Sequence, residues 1–310
     1  MSKKVMNILF RADSSSTIGT GHIMRDLVLA SQYKDASIIF AVQDLKGNIN
    51  HKIIEAGYKV KILKFNDIEE ITKLVQKLNI DLLVIDHYEI DSNYEKQLKI
   101  KNSTLKILSF DDTYEKHYCD ILLNHNISAD KKRYKGLVPK NCKLRCGSKY
   151  TLLRDEFIKE KKKIGKKKKL KIQHSTFNIF VAMGGSDSSN LNPKILKILS
   201  NFKNIKVNLV TTDANSNLNS LKKYSKNKSW VNLYINSDNI AKIIVKSDLA
   251  IITPSVIANE VYYMKIPILA IKIASNQDDI YKFLKKEKSL VLRKFNKNKL
   301  KKLLISKGIK

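Results

Sequence analysis

Between the apolar run VMNILF and the apolar-periodic segment HIMRDLVLASQY lies the loop DSSSTIGTG, and His22 stands where the second segment begins. An imidazole at a helix N-terminus feels the positive end of the helix dipole, which favours the neutral ring. A neutral imidazole is what a general base must be. Gly19 and Gly21 allow the backbone to approach a ligand, and the N–H groups of the helix start, running towards Arg25, favour an anion. The spacing is not G-x-G-x-x-G and Asp13 adds a negative charge, so ordinary dinucleotide binding is disfavoured. Capping by Ser14 to Ser16 with a merely packed His22 accounts for the same residues equally well.

Three further strand-to-loop junctions carry similar chemistry. In VAMGGSDSSN, Gly184, Gly185 and Ser186 offer small residues and N–H donors to a phosphate, while Asp187 or Ser188 caps the next helix; a plain turn explains the glycines too. In LAIITPSVIANE a helix opens near Ser255 and carries Asn259 and Glu260 on its first turns. Such a helix start supplies diphosphate donors and acceptors for ribose hydroxyls, although a carboxylate there is often only a dipole partner. In DLLVIDHYEID, Asp86, His87 and Tyr88 leave the end of a buried strand, where an Asp commonly caps a turn and a Tyr hydroxyl can bond a sugar or a water. Asp111 and Asp112 in ILSFDDT form another strand-end acidic pair with no third ligand at metal spacing, which reads as structural. No metal and no cofactor are expected.

These loops need rigid elements behind them. Short Ile/Val/Leu-rich runs alternate with amphipathic ones in both halves, as when helices cover both faces of a parallel sheet. The expected architecture is α/β, two Rossmann-like doubly wound domains facing across a cleft: 1–158, a Lys-rich linker or surface loop at 159–176, and 177–310. The linker reading rests on nine lysines in the thirteen residues KEKKKIGKKKKLK. The chain has 310 residues, a formal net charge of +30 and 59 basic residues, of which six are arginine. Lysine spread over nearly every helix, beside abundant Asn and Ile, fits a coding bias better than specific nucleic-acid binding, for which arginine is preferred. Peripheral contact of the Lys-rich segments with anionic membranes stays open. Cys119, Cys142 and Cys146 read as reduced thiols without metal spacing. With no signal peptide and no apolar run of membrane-span length, a cytoplasmic protein is expected, working as a monomer.

Taken in order, FRADSSSTIGTGHIMRDLVLA, LLVIDHY, KILSFDD, CDILLNHN, YKGLVP, LRCGSKYTLLRDEF, FVAMGGSD and SVIANE resemble the UDP-sugar hydrolases of bacterial pseudaminic acid biosynthesis, members of the GT-B class. The resemblance spans most of the chain to about Lys272. It implies hydrolysis of UDP-2,4-diacetamido-2,4,6-trideoxy-β-L-altropyranose by water attack at the anomeric carbon with inversion. His22, Tyr88 and Asn259 would be the catalytic set. Gly19, Gly21, Arg25, Gly184, Gly185, Ser186, Ser255, Asn259 and Glu260 would bind the UDP-sugar, with Glu260 on the ribose. The Lys159–Gln173 insert and the basic tail after Phe295 depart from the pattern. A UDP-sugar glycosyltransferase, or a basic anion- or nucleic-acid-binding module without catalysis, are the alternatives.

Overall fold

The first sheet runs in the order β3-β2-β1-β4-β5-β6-β7 and all its neighbours are parallel. Its elements, in a computed structural model that describes residues 5–166 and 176–309, are β1 (Met6–Ala12), α1 (Gly21–Ala30), β2 (Ala36–Gln43), α2 (Asn50–Glu55), β3 (Lys59–Leu63), α3 (Ile68–Lys77), β4 (Leu82–Asp86), α4 (Ser92–Lys101), β5 (Lys106–Phe110), β6 (Ile121–Asn124) and β7 (Lys143–Cys146). Alternate residues of β1 feed two separate cores. Ile8 and Phe10 pack with Ile23 and Leu29 of α1 on one face, while Leu9 packs with Ile71, Val75 and Leu98 of α3 and α4 on the other. Burial on both faces is why these strands read as continuous apolar runs.

A second unit begins at Leu153. It contains α5 (Asp155–Lys166), β8 (Phe177–Ala182), α6 (Asn192–Leu199), β9 (Ile205–Thr211), α7 (Leu218–Ser225), β10 (Val231–Ile235), α8 (Ile240–Val245), β11 (Leu249–Ile252), α9 (Val256–Met264), β12 (Ile268–Ile271), α10 (Asp278–Lys286), β13 (Leu290–Leu292) and α11 (Lys297–Ile305). Its sheet order, β10-β9-β8-β11-β12-β13, is again parallel throughout. Both units are therefore Rossmann-like, as the alternating pattern predicts. In each sheet the winding reverses once, between β1 and β4 and between β8 and β11. Ligands of such sheets bind beyond the strand carboxyl ends at that reversal. The loop before His22 and the DHY segment flank the first reversal; the GG loop and the SVIANE helix flank the second.

One lysine-rich stretch departs from the expected linker or surface loop. Residues 159–166 continue α5 as helix, because lysine is a good helix former, Phe157 is fully buried and Lys163 pairs with Glu160 at 2.6 Å. The remainder of the lysine run, 167–175, lies outside the described residues. The basic tail forms α11, whose Leu300 and Leu304 sit in the core one turn apart, with Ile309 following them. Its charge is the solvated face of an amphipathic helix.

The least exposed large side chain is not apolar. Arg11 of β1 is fully buried; its Nη2 donates to Asp13 Oδ2 at 2.8 Å, and its other N–H groups reach Asn66 and the carbonyls of Ala12 and Ala41. Burial pushes the Asp13 carboxyl up, but His87 and Arg11 outweigh it and hold it well below the usual range. Asp13 is thus part of the scaffold, its charge cancelled inside the domain. Removing one partner leaves an uncompensated buried charge. Asp13→Ala is expected to destabilise the protein by about 3–5 kcal/mol, read as a lowered urea midpoint of the first unit's transition.

Candidate active site

His22 is the second residue of α1, and its Nδ1 lies 2.7 Å from Oδ1 of Asp86, the last residue of β4. The register that pairs Ala12 with Asp86 brings the two loops together. A carboxylate against Nδ1 takes the proton-bearing nitrogen, which leaves the Nε2 lone pair as the basic position. Nε2 has no hydrogen-bond partner among the described residues. The Tyr88 ring meets the imidazole edge-on with centroids 5.0 Å apart, and Tyr88 is 66 % exposed, so the pair stands at the surface end of the strand.

Arg25, one helical turn after His22, ties the cluster together. Its Nε donates to Asp86 Oδ2 at 2.5 Å, Nη2 reaches Asp86 Oδ1, and Nη1 donates to Asp112 Oδ2 at 3.1 Å. Asp112 Oδ1 in turn accepts the Tyr88 hydroxyl at 3.1 Å. Burial raises the Asp86 carboxyl, yet Arg25 and the hydrogen bond from His22 hold it well below the ordinary value. Burial and then Asp112 push the Tyr88 phenol up to about 12, so it remains a donor at neutral pH. Behind them are two buried groups with no hydrogen-bond partner among the described residues, Asp26 and His125. Burial and the nearby Asp86 raise the Asp26 carboxyl well above the usual carboxylate range. Burial and Arg25 bring His125 down to about 4, so its ring is neutral.

In the second unit the GG loop follows β8. Gly184 has φ +85°, and a Cβ on Gly185 would come within 3.0 Å of the Thr212 side chain. The N–H groups of Gly184, Gly185 and Ser186 meet no acceptor among the described residues, and all three residues are exposed. Asp187 turns away to accept the N–H groups of Leu191 and Asn192, both at 2.9 Å, capping α6. Ser255 is the N-cap of α9 but makes no side-chain cap, its hydroxyl lying 3.0 Å from that of Thr253. The first N–H groups of α9 are left for another acceptor. Asn259 and Glu260 are both buried on the same helix. Arg154 donates to Glu260 Oε1 at 3.0 Å and pairs with Glu156 at 2.8 Å. Burial lifts the Glu260 carboxyl to about 7 against the pull of Arg154.

No protein-family model matches the chain. It is 41 % identical over 282 residues, 91 % of this chain and 97 % of the relative, to the UDP-2,4-diacetamido-2,4,6-trideoxy-β-L-altropyranose hydrolase of Campylobacter jejuni. The chain belongs to this hydrolase family. It is also 32 % identical over 295 residues to an uncharacterised protein, MJ1062, of Methanocaldococcus jannaschii, covering 59 % of that protein. Among solved structures it is similar in fold to MurG of Acinetobacter baumannii, with TM-score 0.66 at 10 % identity over 98 % of this chain and 91 % of that one. A UDP-N-acetylglucosamine 2-epimerase of Neisseria meningitidis bound to UDP-GlcNAc gives TM-score 0.58 at 10 % identity over 97 % and 92 %. The fold is of the GT-B type.

Each expected residue now has an address in this hydrolase-family chain. His22 and Tyr88 lie together in the first unit, and Gly184, Gly185, Ser186, Ser255, Asn259 and Glu260 flank the reversal of the second. Two expectations change in detail. Gly19 spends its N–H on Ser15 O at 2.9 Å, closing a turn that its φ of +85° permits, while Gly21 is the first residue of α1. Arg25 has its guanidinium committed to Asp86 and Asp112, so it braces the histidine. Asp86 and Asp112, whose strand-end positions suggest a turn cap and a structural carboxylate, are the partners of His22 and Tyr88. The i, i+3 spacing of His22 and Arg25 on one helix face was the signal pointing to a shared anionic partner. Arg154, Asp26 and His125 carried no such signal.

Glu260 makes a pH-dependent prediction. Its folded pKa is raised from 4.5 to about 7, so the folded state binds more protons between those values and the group's contribution to stability falls as pH rises through that window. Glu260→Gln cannot ionise. Its thermal midpoint should match wild type near pH 5 and exceed it at pH 8, by a free energy on the order of 2–3 kcal/mol.

Proposed function

We propose that this chain hydrolyses UDP-2,4-diacetamido-2,4,6-trideoxy-β-L-altropyranose to the free sugar and UDP, in pseudaminic acid biosynthesis. The observation that carries the reading is the His22–Asp86 pair with an open Nε2, in a chain whose relative of that name is matched over 97 % of its length. In this mechanism water held by Nε2 of His22 attacks the anomeric carbon. The C–O bond to the diphosphate breaks as the new C–O bond forms, and a single displacement inverts the configuration. His22 takes the proton of the attacking water, and Asp86 stabilises the resulting imidazolium.

The charge of the first-unit cluster supports this role. Among the ion-paired groups Arg25 contributes one positive charge and Asp86 and Asp112 two negative ones, while the neutral ring of His125 contributes none. The resulting single negative charge is cancelled when His22 becomes an imidazolium. Tyr88 is assigned to orient the sugar or the water through its hydroxyl. The uncapped N–H groups after Ser255 and those of Gly184 to Ser186 would receive the diphosphate, stabilising the leaving UDP. Glu260 and Asn259 are assigned to ribose and sugar hydroxyls, with Arg154 bridging Glu260 and Glu156. Among the described residues, no helix is long and apolar enough to cross a membrane. A cytoplasmic monomer that feeds flagellin glycosylation, takes a small-molecule substrate and touches membranes at most peripherally is part of the same proposal.

Incubating the protein with the UDP-sugar in isotopically labelled water, with no acceptor, tests the reading. Label is expected in the sugar; label in UDP means attack at phosphorus, and turnover only with an added acceptor means a transferase. His22→Ala should lower kcat by about 10²–10⁴. Asp86→Asn should lower kcat by about 10² or more with little change in KM, because an amide no longer fixes the Nδ1–H tautomer.

A further inference from the structure

Cys119 and Cys142 approach each other at the edge of the first sheet, with their sulfurs 3.7 Å apart. Cys119 is buried, 2 % exposed, immediately before β6, and the half-buried Cys142 immediately precedes β7. Strands β6 and β7 are parallel with Ile121 opposite Lys143, so the cysteines are offset by one residue across adjacent chain segments. Segments about 4.8 Å apart with that offset place the Cα atoms about 6 Å apart, inside the range disulfides span. Cys146, the third cysteine, is at the other end of β7.

The two thiols differ in the way a redox pair requires. The hydrogen bond with Cys119 lowers the pKa of the Cys142 thiol, while the same bond and burial raise that of Cys119. Burial raises Cys146 to about 11. Cys142 is therefore the thiol with both access and thiolate character.

Cys119 also closes a loop that matters to the site. Residues 111–118 start with Asp111, which accepts the N–H groups of Thr113, Tyr114 and Glu115. They end with His117 and Tyr118 bound to the buried Glu95. Between them Asp112 holds Arg25 and Tyr88.

We propose that Cys119 and Cys142 form a reversible, peroxide-driven disulfide that clamps the loop carrying Asp112. The Cys142 thiolate attacks a peroxide oxygen, giving a sulfenic acid and releasing hydroxide that leaves as water. The Cys119 sulfur then attacks the sulfenic sulfur, the S–S bond forms, and the Cys119 proton departs with the hydroxyl as a second water. Two thiols are oxidised by two electrons and one hydrogen peroxide is reduced to two waters.

The test uses the reduced full chain, a few equivalents of hydrogen peroxide, alkylation of the remaining thiols and peptide mass spectrometry. A Cys119–Cys142 linked peptide about 2 Da lighter than the two thiol peptides is expected, with Cys146 alkylated and the link reversed by dithiothreitol. Amide exchange over residues 113–118 should slow several-fold in the oxidised protein, and Cys142→Ser should show no peroxide effect there. Linkage through Cys146, Cys142 overoxidised beside an intact Cys119 thiol, or no oxidation of either overturns the disulfide. Unchanged exchange in a linked protein overturns the clamp.

Discussion

The buried pairing of Arg25 with Asp86 is the interaction on which the side-chain cluster of the first unit depends. Taking two charges out of water costs more than a single ion pair returns unless the remaining donors and acceptors are also satisfied. Here they are: Asp86 receives three contacts from Arg25 and His22, and the guanidinium has Asp112 on its other side. The arrangement fixes the plane of a buried histidine by setting its Nδ1 against a carboxylate. It also needs two segments far apart in sequence to meet at one point, which a strand register with Ala12 beside Asp86 supplies.

The same topology appears twice and is put to two uses. In each sheet the central strands part their following loops where the winding reverses, so both reversals offer a crevice without any special loop design. The first is furnished with a histidine, a tyrosine and compensated carboxylates. The second is furnished with bare N–H groups, through glycine at 184 and 185 and through a serine N-cap whose hydroxyl is turned towards Thr253. The two sheet ends thus present opposite local fields, carboxylates at the first and N–H donors at the second.

Much of this was legible from residue order. Strands buried on both faces announce themselves as apolar runs, and helices such as α9 as a capping residue before an apolar period, so the two-unit α/β fold and its functional loops could be located. The lysine-rich stretch of α5 misled because charge was weighed above period: Phe157 in α5, like Leu300 and Leu304 in α11, marks a buried stripe within a very basic segment. Partnerships were the least legible. Asp86 and Asp112 look like ordinary turn residues until the register sets them against Arg25. The pairing of Arg154 with Glu260 spans 106 positions and has no local trace.

Finally, the overall charge of +30 says little about the reaction centre. At physiological ionic strength, exposed charges act over about 8 Å, and lysines on helix faces are largely screened from one another. The field at His22 is set by the charged groups packed around it. There the balance is negative, because Asp86 and Asp112 together face the one guanidinium of Arg25 while burial keeps His125 neutral. An imidazole placed there has an anionic surrounding, and a chain this basic obtains one by gathering carboxylates around a single arginine.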